Sequence, residues 1–208
     1  MYTPSFNRIE DPRVIRGFIH AHGFATLVTG AGAPLEASHL PLLLDESDQG
    51  DRLRGHMARG NAQWKRFDGS GEALCIFHGP HAYISPSWYE AAVAVPTWNY
   101  ATVHVYGAPR LEEDPAFLRQ VVADTTHKYE SAREAPWPMD LPEDYMASMT
   151  RAIVGFSVAV TRVEAKFKFG QNRSAQDQSK MLRGLEDSHD PGARELAAMI
   201  RAHQEGRR

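Results

Sequence analysis

The stretch His78–Gly107, HGPHAYISPSWYEAAVAVPTWNYATVHVYG, governs how the rest of the chain is read. It sets Trp88, Trp98, Tyr83, Tyr89, Tyr100 and Tyr106 among Pro80, Pro86 and Pro96, with His78, His81, His104 and Asn99 between them. Large rings with polar tips are costly to bury unless each tip finds a partner. The mixture suits a site that holds something planar and polar. It equally suits a Pro-rich loop joining two strands, with the aromatics capping a barrel end. At its C-terminal side Thr102, His104 and Tyr106 alternate with Val103 and Val105, the period of a strand with one apolar face, running from Ala101 to Leu111. On its N-terminal side Ala73–Phe77 (ALCIF) reads as a buried strand.

Working outward, Asp11 followed by Pro12 is a cap-then-proline start for a helix carrying Val14, Ile15, Phe18 and Ile19, with Gly23 as its stop. Strands are expected over Phe24–Thr29, Leu35–Leu44 and Leu53–Met57, with Asp45–Gly50 as a hairpin loop. Asn61 is a cap for a short helix. Asp114-Pro115 repeats the helix signature, and Phe117, Leu118, Val121 and Val122 form its stripe. Glu134–Pro142 reads as a linker, and Pro142 opens a helix with Tyr145, Met146 and Met149. A long strand follows over Ile153–Phe169. Ser174–Asp177 resembles a capping box before Met181, Leu182 and Leu185, and a last helix spans about Ala193–His203. Strands with helices between them, lacking βαβ regularity, predict an α+β, mainly β architecture: a small closed antiparallel barrel with helices outside.

The 208 residues fit one domain with a helical appendage, here 1–185 and a tail at 186–208. The longest near-continuous apolar run, Leu40–Leu44, is strand-sized, so no membrane span is expected. A single cysteine, Cys75, excludes an internal disulfide and any multi-thiolate metal site. With no signal-peptide pattern at the N-terminus, a cytoplasmic protein is expected. The formal net charge of −3 argues against a strongly basic nucleic-acid surface. Basic residues gather at Arg162–Arg173 and again at Arg207 and Arg208, but acids interrupt the first group.

Three groups bear on chemistry. If the strands Leu35–Leu44 and Leu53–Met57 pair, His39 and His56 lie on neighbouring strands, and Arg59, Gly60 and Asn61 form the turn after the second. Glycine, a guanidinium and a helix start make a phosphate cradle, or Asn61 simply caps and Arg59 is solvated. The histidines His39, His56, His78, His81 and His104 lack zinc spacing, so hydrogen bonding to a polar ligand is the better use and no metal is expected. Gln171, Asn172 and Arg173 offer donors for a phosphate or ring carbonyl, or for a strand end. Ser85 and Ser87 match no activated-serine pattern, and Cys75 sits in an apolar run where a thiol is inert. Neither a GxGxxG nor a Walker loop occurs, which leaves a flavin bound outside a Rossmann domain open.

Together, HLP at His39, GHMARGNAQW from Gly55, FHGPHAYISPSWY from Phe77, VPTWNYATVHVYG from Val95, RAIVGF from Arg151 and FKFGQNRS from Phe167 resemble the PaiB family. The resemblance runs in order from Met1 to about Leu185. Ala62 stands where the family commonly has proline, and Phe169-Gly170 where it has Leu-Ser; neither removes a hydrogen-bonding group. The resemblance implies an FMN-binding split β-barrel, a homodimer with the flavin between subunits, and a role as negative transcriptional regulator of protease synthesis and sporulation. On that resemblance, His39, His56 and Arg59 are expected on the phosphate and ribityl side, and Met57, Ala58, Asn61 and Trp64 are also expected among the FMN-binding residues. Pro96, Thr97, Trp98 and Asn99 are expected at the ring, with Gln171, Asn172, Arg173 or the SPSWY loop reaching across the dimer. DNA is a partner by family label only, since no helix-turn-helix is visible. Two other functions stand beside this one: a flavin-dependent oxidoreductase of the pyridoxamine-phosphate-oxidase or flavin-reductase kind, with His81 and Tyr83 as acid–base candidates, and a haem-binding or haem-degrading protein, supported only by the histidine surplus.

Overall fold

The computed structural model describes residues 1–30, 34–91 and 93–206; the basic pair Arg207 and Arg208 therefore lies outside the described residues. The elements are β1 (Arg8–Ile9), α1 (Pro12–Ala21), β2 (Phe24–Thr29), β3 (Glu36–Pro41), β4 (Leu43–Asp45), β5 (Arg52–Ala58), β6 (Ala73–Ile84), β7 (Thr97–Glu112), α2 (Pro115–Glu130), α3 (Glu143–Arg151), β8 (Ile153–Lys168), α4 (Ala175–Glu186) and α5 (Pro191–Glu205). Short 3₁₀ turns cover Ser5–Asn7, Ala62–Arg66 and Pro86–Trp88. The sheet order is β3-β2-β6-β7-β8-β5-β4, with β1 pairing β8. Every register pair defined for β1–β5 is antiparallel. The mainly antiparallel α+β class is the one expected.

The expected closed barrel is corrected. Among the described residues, β3 and β4 end the hydrogen-bonded order and the sheet stays open. The cause lies in the single strand expected over Leu35–Leu44, which breaks after Pro41. Leu42 leaves the ladder: its N–H donates to Gly23 O at 2.8 Å and its side chain is fully buried. The first half then pairs with β2 and the second with β5, so one segment serves two edges.

The chain forms two compact units, and β6, β7 and β8 contribute residues to both. One unit comprises Ile19–Phe77 and His104–Val163. Its core includes Leu27, Leu42, Leu53, Cys75, Phe77, Val105, Phe156 and Val158, all essentially inaccessible. Gly55 exists for close approach: a Cβ there would meet Leu42 Cδ2 at 2.7 Å and Phe156 Cζ at 3.0 Å. Gly23, read as a helix stop, has the same origin. It does not take a positive φ, and a Cβ on it would lie 2.7 Å from Lys128 Nζ and 3.2 Å from Leu42 O. Burial pushes the Cys75 thiol up to about 12, leaving it protonated and unreactive.

The other unit comprises Met1–Phe18, His78–Val103 and Glu164–Arg208. Its caps follow the sequence signals. Ser174 Oγ accepts from Asp177 N at 3.1 Å, and Asp190 Oδ1 accepts from Gly192 N at 3.0 Å. The described tail residues 186–206 are built into this unit: Ala193, Leu196, Ala197 and Ile200 of α5 are buried, and α5 packs on α4. His203 sets the edge of its ring against Phe167 and Phe169, centroids 5.6 Å away in each case. A helix that buries a continuous apolar stripe is part of the core it covers.

Candidate flavin site

The residues expected to bind flavin fall into two sets, one in each unit. In the first, His39, His56, Met57, Ala58, Arg59, Asn61 and Trp64 lie on β3, on β5 and in the turn after it. Of the strand expected over Leu35–Leu44, only the part in β4 pairs with β5, through Leu43 and Leu44; β3, which carries His39, does not. His39 instead faces Thr26 across the β2–β3 ladder, with Nδ1 and Oγ1 3.0 Å apart and its ring stacked near Phe24. His56 faces Gly155 of β8. Its Nδ1 is buried with no hydrogen-bond partner among the described residues, and burial lowers the imidazole below its ordinary pKa, so it is neutral at neutral pH. Met57 is buried, while Ala58 and Gly60 are exposed.

Arg59 is held by backbone carbonyls. Its Nε donates to Arg151 O at 2.8 Å and one terminal nitrogen to Ile153 O at 3.0 Å. A guanidinium has five N–H donors, so about three remain directed elsewhere on a fork whose plane is already fixed. Trp64 Nε1 donates back to Arg59 O at 2.9 Å and closes the turn. Asn61 caps the 3₁₀ turn Ala62–Arg66, accepting from Gln63 N, while its amide donates to Ser38 Oγ at 2.7 Å. One turn of 3₁₀ helix carries little dipole, so the positive charge here is the guanidinium's own. Arg59 and Trp64 also line a cavity of about 450 Å³ with Pro115, Leu118, Arg151 and Ile153, a volume within the range of small-molecule pockets.

The second set, Pro96, Thr97, Trp98, Asn99, Gln171, Asn172 and Arg173, lies at the start of β7 and after β8. Trp98 is 54% exposed and stands beside His81 (centroids 6.0 Å) and Tyr83 (6.3 Å, edge-on). Tyr83 is itself 49% exposed. Pro96 is exposed, and Thr97 Oγ1 accepts from Lys168 Nζ at 2.6 Å. Asn99 is 1% exposed; its Nδ2 donates to Met181 Sδ at 3.1 Å, and its buried Oδ1 has no partner among the described residues. Gln171 folds back on its own strand, accepting from Phe169 N and donating to Phe167 O. The Arg173 guanidinium sits 4.5 Å from the Tyr89 ring centroid. Trp88 of the SPSWY loop lies flat on α4, where a Cβ at Gly184 would come within 2.5 Å of the indole. Most of the side chains expected to reach toward a partner are thus occupied within their own unit, and Asn172 alone of its trio is exposed.

Two residues escaped the sequence reading. Gln63 is fully buried and donates to three acceptors on β2 and β3. Lys166 is 7% exposed, donates to Tyr2 O at 3.0 Å and lies 5.2 Å from the Tyr100 ring centroid. The alternation of β8 left both outcomes open for Lys166; for Gln63 no local pattern marks burial.

One unit thus holds a guanidinium fixed by backbone carbonyls, and the other an exposed indole. The family model described as "Putative FMN-binding domain" matches residues 1–162, and the chain belongs to that family of split-barrel flavoproteins, with FMN as its cofactor. The chain is 36% identical over 202 residues to Protease synthase and sporulation protein PAI 2 of Bacillus subtilis, covering 96% of each. Among solved structures, the flavocytochrome Anf3 of Azotobacter vinelandii superposes with a TM-score of 0.63 at 13% identity, over 84% of this chain and 75% of that one. The FAD and heme binding protein of Mycobacterium smegmatis does so at 0.58 and 13%, over 83% and 78%. At such identities the two structures establish a shared fold and nothing finer. Among the described residues no helix is long and apolar enough to cross a membrane.

Proposed function

We propose that the protein is an FMN-dependent negative regulator of the PAI 2 kind, acting as a flavin-loaded homodimer whose phosphate is gripped by Arg59. The observation that carries the cofactor half is the Arg59 fork, clamped on Arg151 O and Ile153 O with donors to spare. Arginine in such a fixed plane favours bidentate recognition of a phosphate. The regulatory half is supported by the likeness to PAI 2 across 96% of both chains. With a net charge of −3 and no helix-turn-helix legible in its sequence, the protein has no evident device for gripping an operator. Regulation therefore works through the flavin state rather than tight DNA contact. Light scattering of the purified protein with its absorption spectrum tests the core of this reading: a dimer with stoichiometric flavin bands supports it, and a colourless monomer that ignores added FMN refutes it.

A second reading is favoured by one specific feature, the exposed Trp98 with His81 and Tyr83 around it. An indole face flanked by an imidazole and a phenol suits stacking and proton transfer in a flavin oxidoreductase. Bound flavin would supply the hydride chemistry, and these side chains would position a substrate. Rapid oxidation of NADH or NADPH by the flavin-loaded protein selects this reading over the regulator.

A further inference from the structure

The turn that carries Arg59 is pinned on two sides. On one, Arg59 N donates to Ala152 O at 2.8 Å, beside the two side-chain bonds to Arg151 and Ile153. On the other, Asn61 reaches Ser38, and Gln63 reaches further. The Gln63 amide nitrogen donates to Leu27 O at 3.1 Å, Thr29 Oγ1 at 3.0 Å and Glu36 O at 3.1 Å. Thr29 and Glu36 are register partners at the end of the β2–β3 ladder, so one amide straddles both strands. Two of the three acceptors are carbonyls that can only accept, which fixes the orientation of the amide and leaves Oε1 buried without a partner among the described residues. A chain holds a fully buried amide with an unmet acceptor at a cost, and what it gains is two N–H protons serving three acceptors, one proton shared between two of them. Between the two pins, Gly60 has open space where a Cβ would stand. The turn is a strap fastened at both ends with a bare outer face.

We propose that Gln63 is a positioning residue for phosphate selectivity: by fixing the Arg59–Asn61 turn against the β2–β3 hairpin, it sets the preference for phosphorylated over unphosphorylated flavin. The inference rests on the reading that Arg59 takes the flavin phosphate. Gln63 touches no flavin; it acts through the turn. Its loss lets the backbone of the turn relax, and a fork misplaced by a fraction of an ångström loses bidentate geometry. The isoalloxazine and ribityl contacts do not run through Gln63, so they survive.

The test compares FMN with riboflavin, which differ only by the phosphate. Flavin fluorescence titrations are run on the full chain with wild type, Gln63→Met, Thr29→Val and Thr29→Ser, each checked for fold by circular dichroism. Wild type is expected to prefer FMN strongly. In Gln63→Met the FMN Kd rises about tenfold or more while that of riboflavin stays within about threefold, so the preference collapses. Should Gln63→Met fail to fold, Thr29→Val removes one acceptor and lowers the preference, while Thr29→Ser keeps the hydroxyl and retains it. Equal weakening of both flavins, or an undiminished preference in the folded Gln63→Met and Thr29→Val proteins, overturns the proposal. A wild type that binds riboflavin as well as FMN refutes the phosphate reading itself, and this inference with it.

Discussion

The turn Ala58–Trp64 and the aromatic stretch Tyr83–Trp98 both carry polar tips on an otherwise apolar background, and they treat them differently. In the turn, the side chains of Arg59, Asn61, Gln63 and Trp64 are tied to acceptors of the protein itself. In the aromatic stretch, Trp98 and Tyr83 remain about half exposed, meeting each other edge-on. The first is preorganised: its geometry is in place before any ligand arrives, so binding costs little ordering. The second is an uncovered face whose apolar area gains only when something covers it. A charged phosphate rewards the first arrangement and a planar ring the second.

Several measurements can break or sharpen that contrast. The largest effect is expected beneath the aromatic stretch, in the helices that support it. Asn99 bonds Met181 of α4, and α4 packs on α5, so Leu196→Ala in the buried stripe of α5 should cost about 2–4 kcal/mol in urea denaturation. A loss under about 1 kcal/mol would mean that the aromatic face does not depend on the C-terminal helices. Next is Arg59→Ala. Losing charge-assisted bonds worth about 1.5–3 kcal/mol predicts FMN binding weaker by roughly 10- to 100-fold, with riboflavin binding little changed. Equal losses for both flavins would move the phosphate elsewhere. Trp98→Ala should lower the affinity for FMN and riboflavin alike, by roughly fivefold, while moving stability by less than about 1 kcal/mol because the ring is half exposed.

The pH effect is smaller. Burial holds the His56 imidazole below its ordinary 6.5, so the unfolded chain binds its proton more readily than the folded one. Its contribution is complete above that value and erodes as pH falls from about 6.5 toward the lower folded pKa. Comparing urea midpoints near pH 7.5 and about 5.5, His56→Phe should show a smaller drop than wild type. An unchanged drop would assign the acid sensitivity to other groups. The smallest change is expected at Lys128, whose Nζ is buried with no hydrogen-bond partner among the described residues and whose pKa burial lowers. Lys128→Met removes the desolvation cost of the ammonium, so the melting temperature should rise by a few degrees, and a fall would show that its contact with the Tyr129 ring matters more.

Much of the fold was legible because its signals are local. Asp114 caps α2 through Ala116 N, Ser174 caps α4 through Asp177 N, and the alternation of Val103 and Val105 places both at full burial on one face of β7. The break after Pro41 was not legible, since Leu35–Leu44 looks like one apolar strand until Gly23 offers Leu42 an acceptor. Within the candidate site, Arg59 and Asn61 were visible as residue types in a turn. Whether Arg59 would be solvated or clamped depended on carbonyls more than ninety residues away.

By its own order of residues the chain determined where its helices begin, which strands have an apolar face, and that a guanidinium stands in a turn and an aromatic cluster beside a proline-rich loop. Capping and alternation act over a few residues, and any chain with these letters shows them. Only the tertiary structure decided that Arg59 is fastened, that Gln63 straddles two strands, that Trp88 lies on Gly184 and that α5 belongs to the core. Each of those outcomes needs two distant segments to meet, and the hydrogen bonds and buried area that fix them exist only once they have.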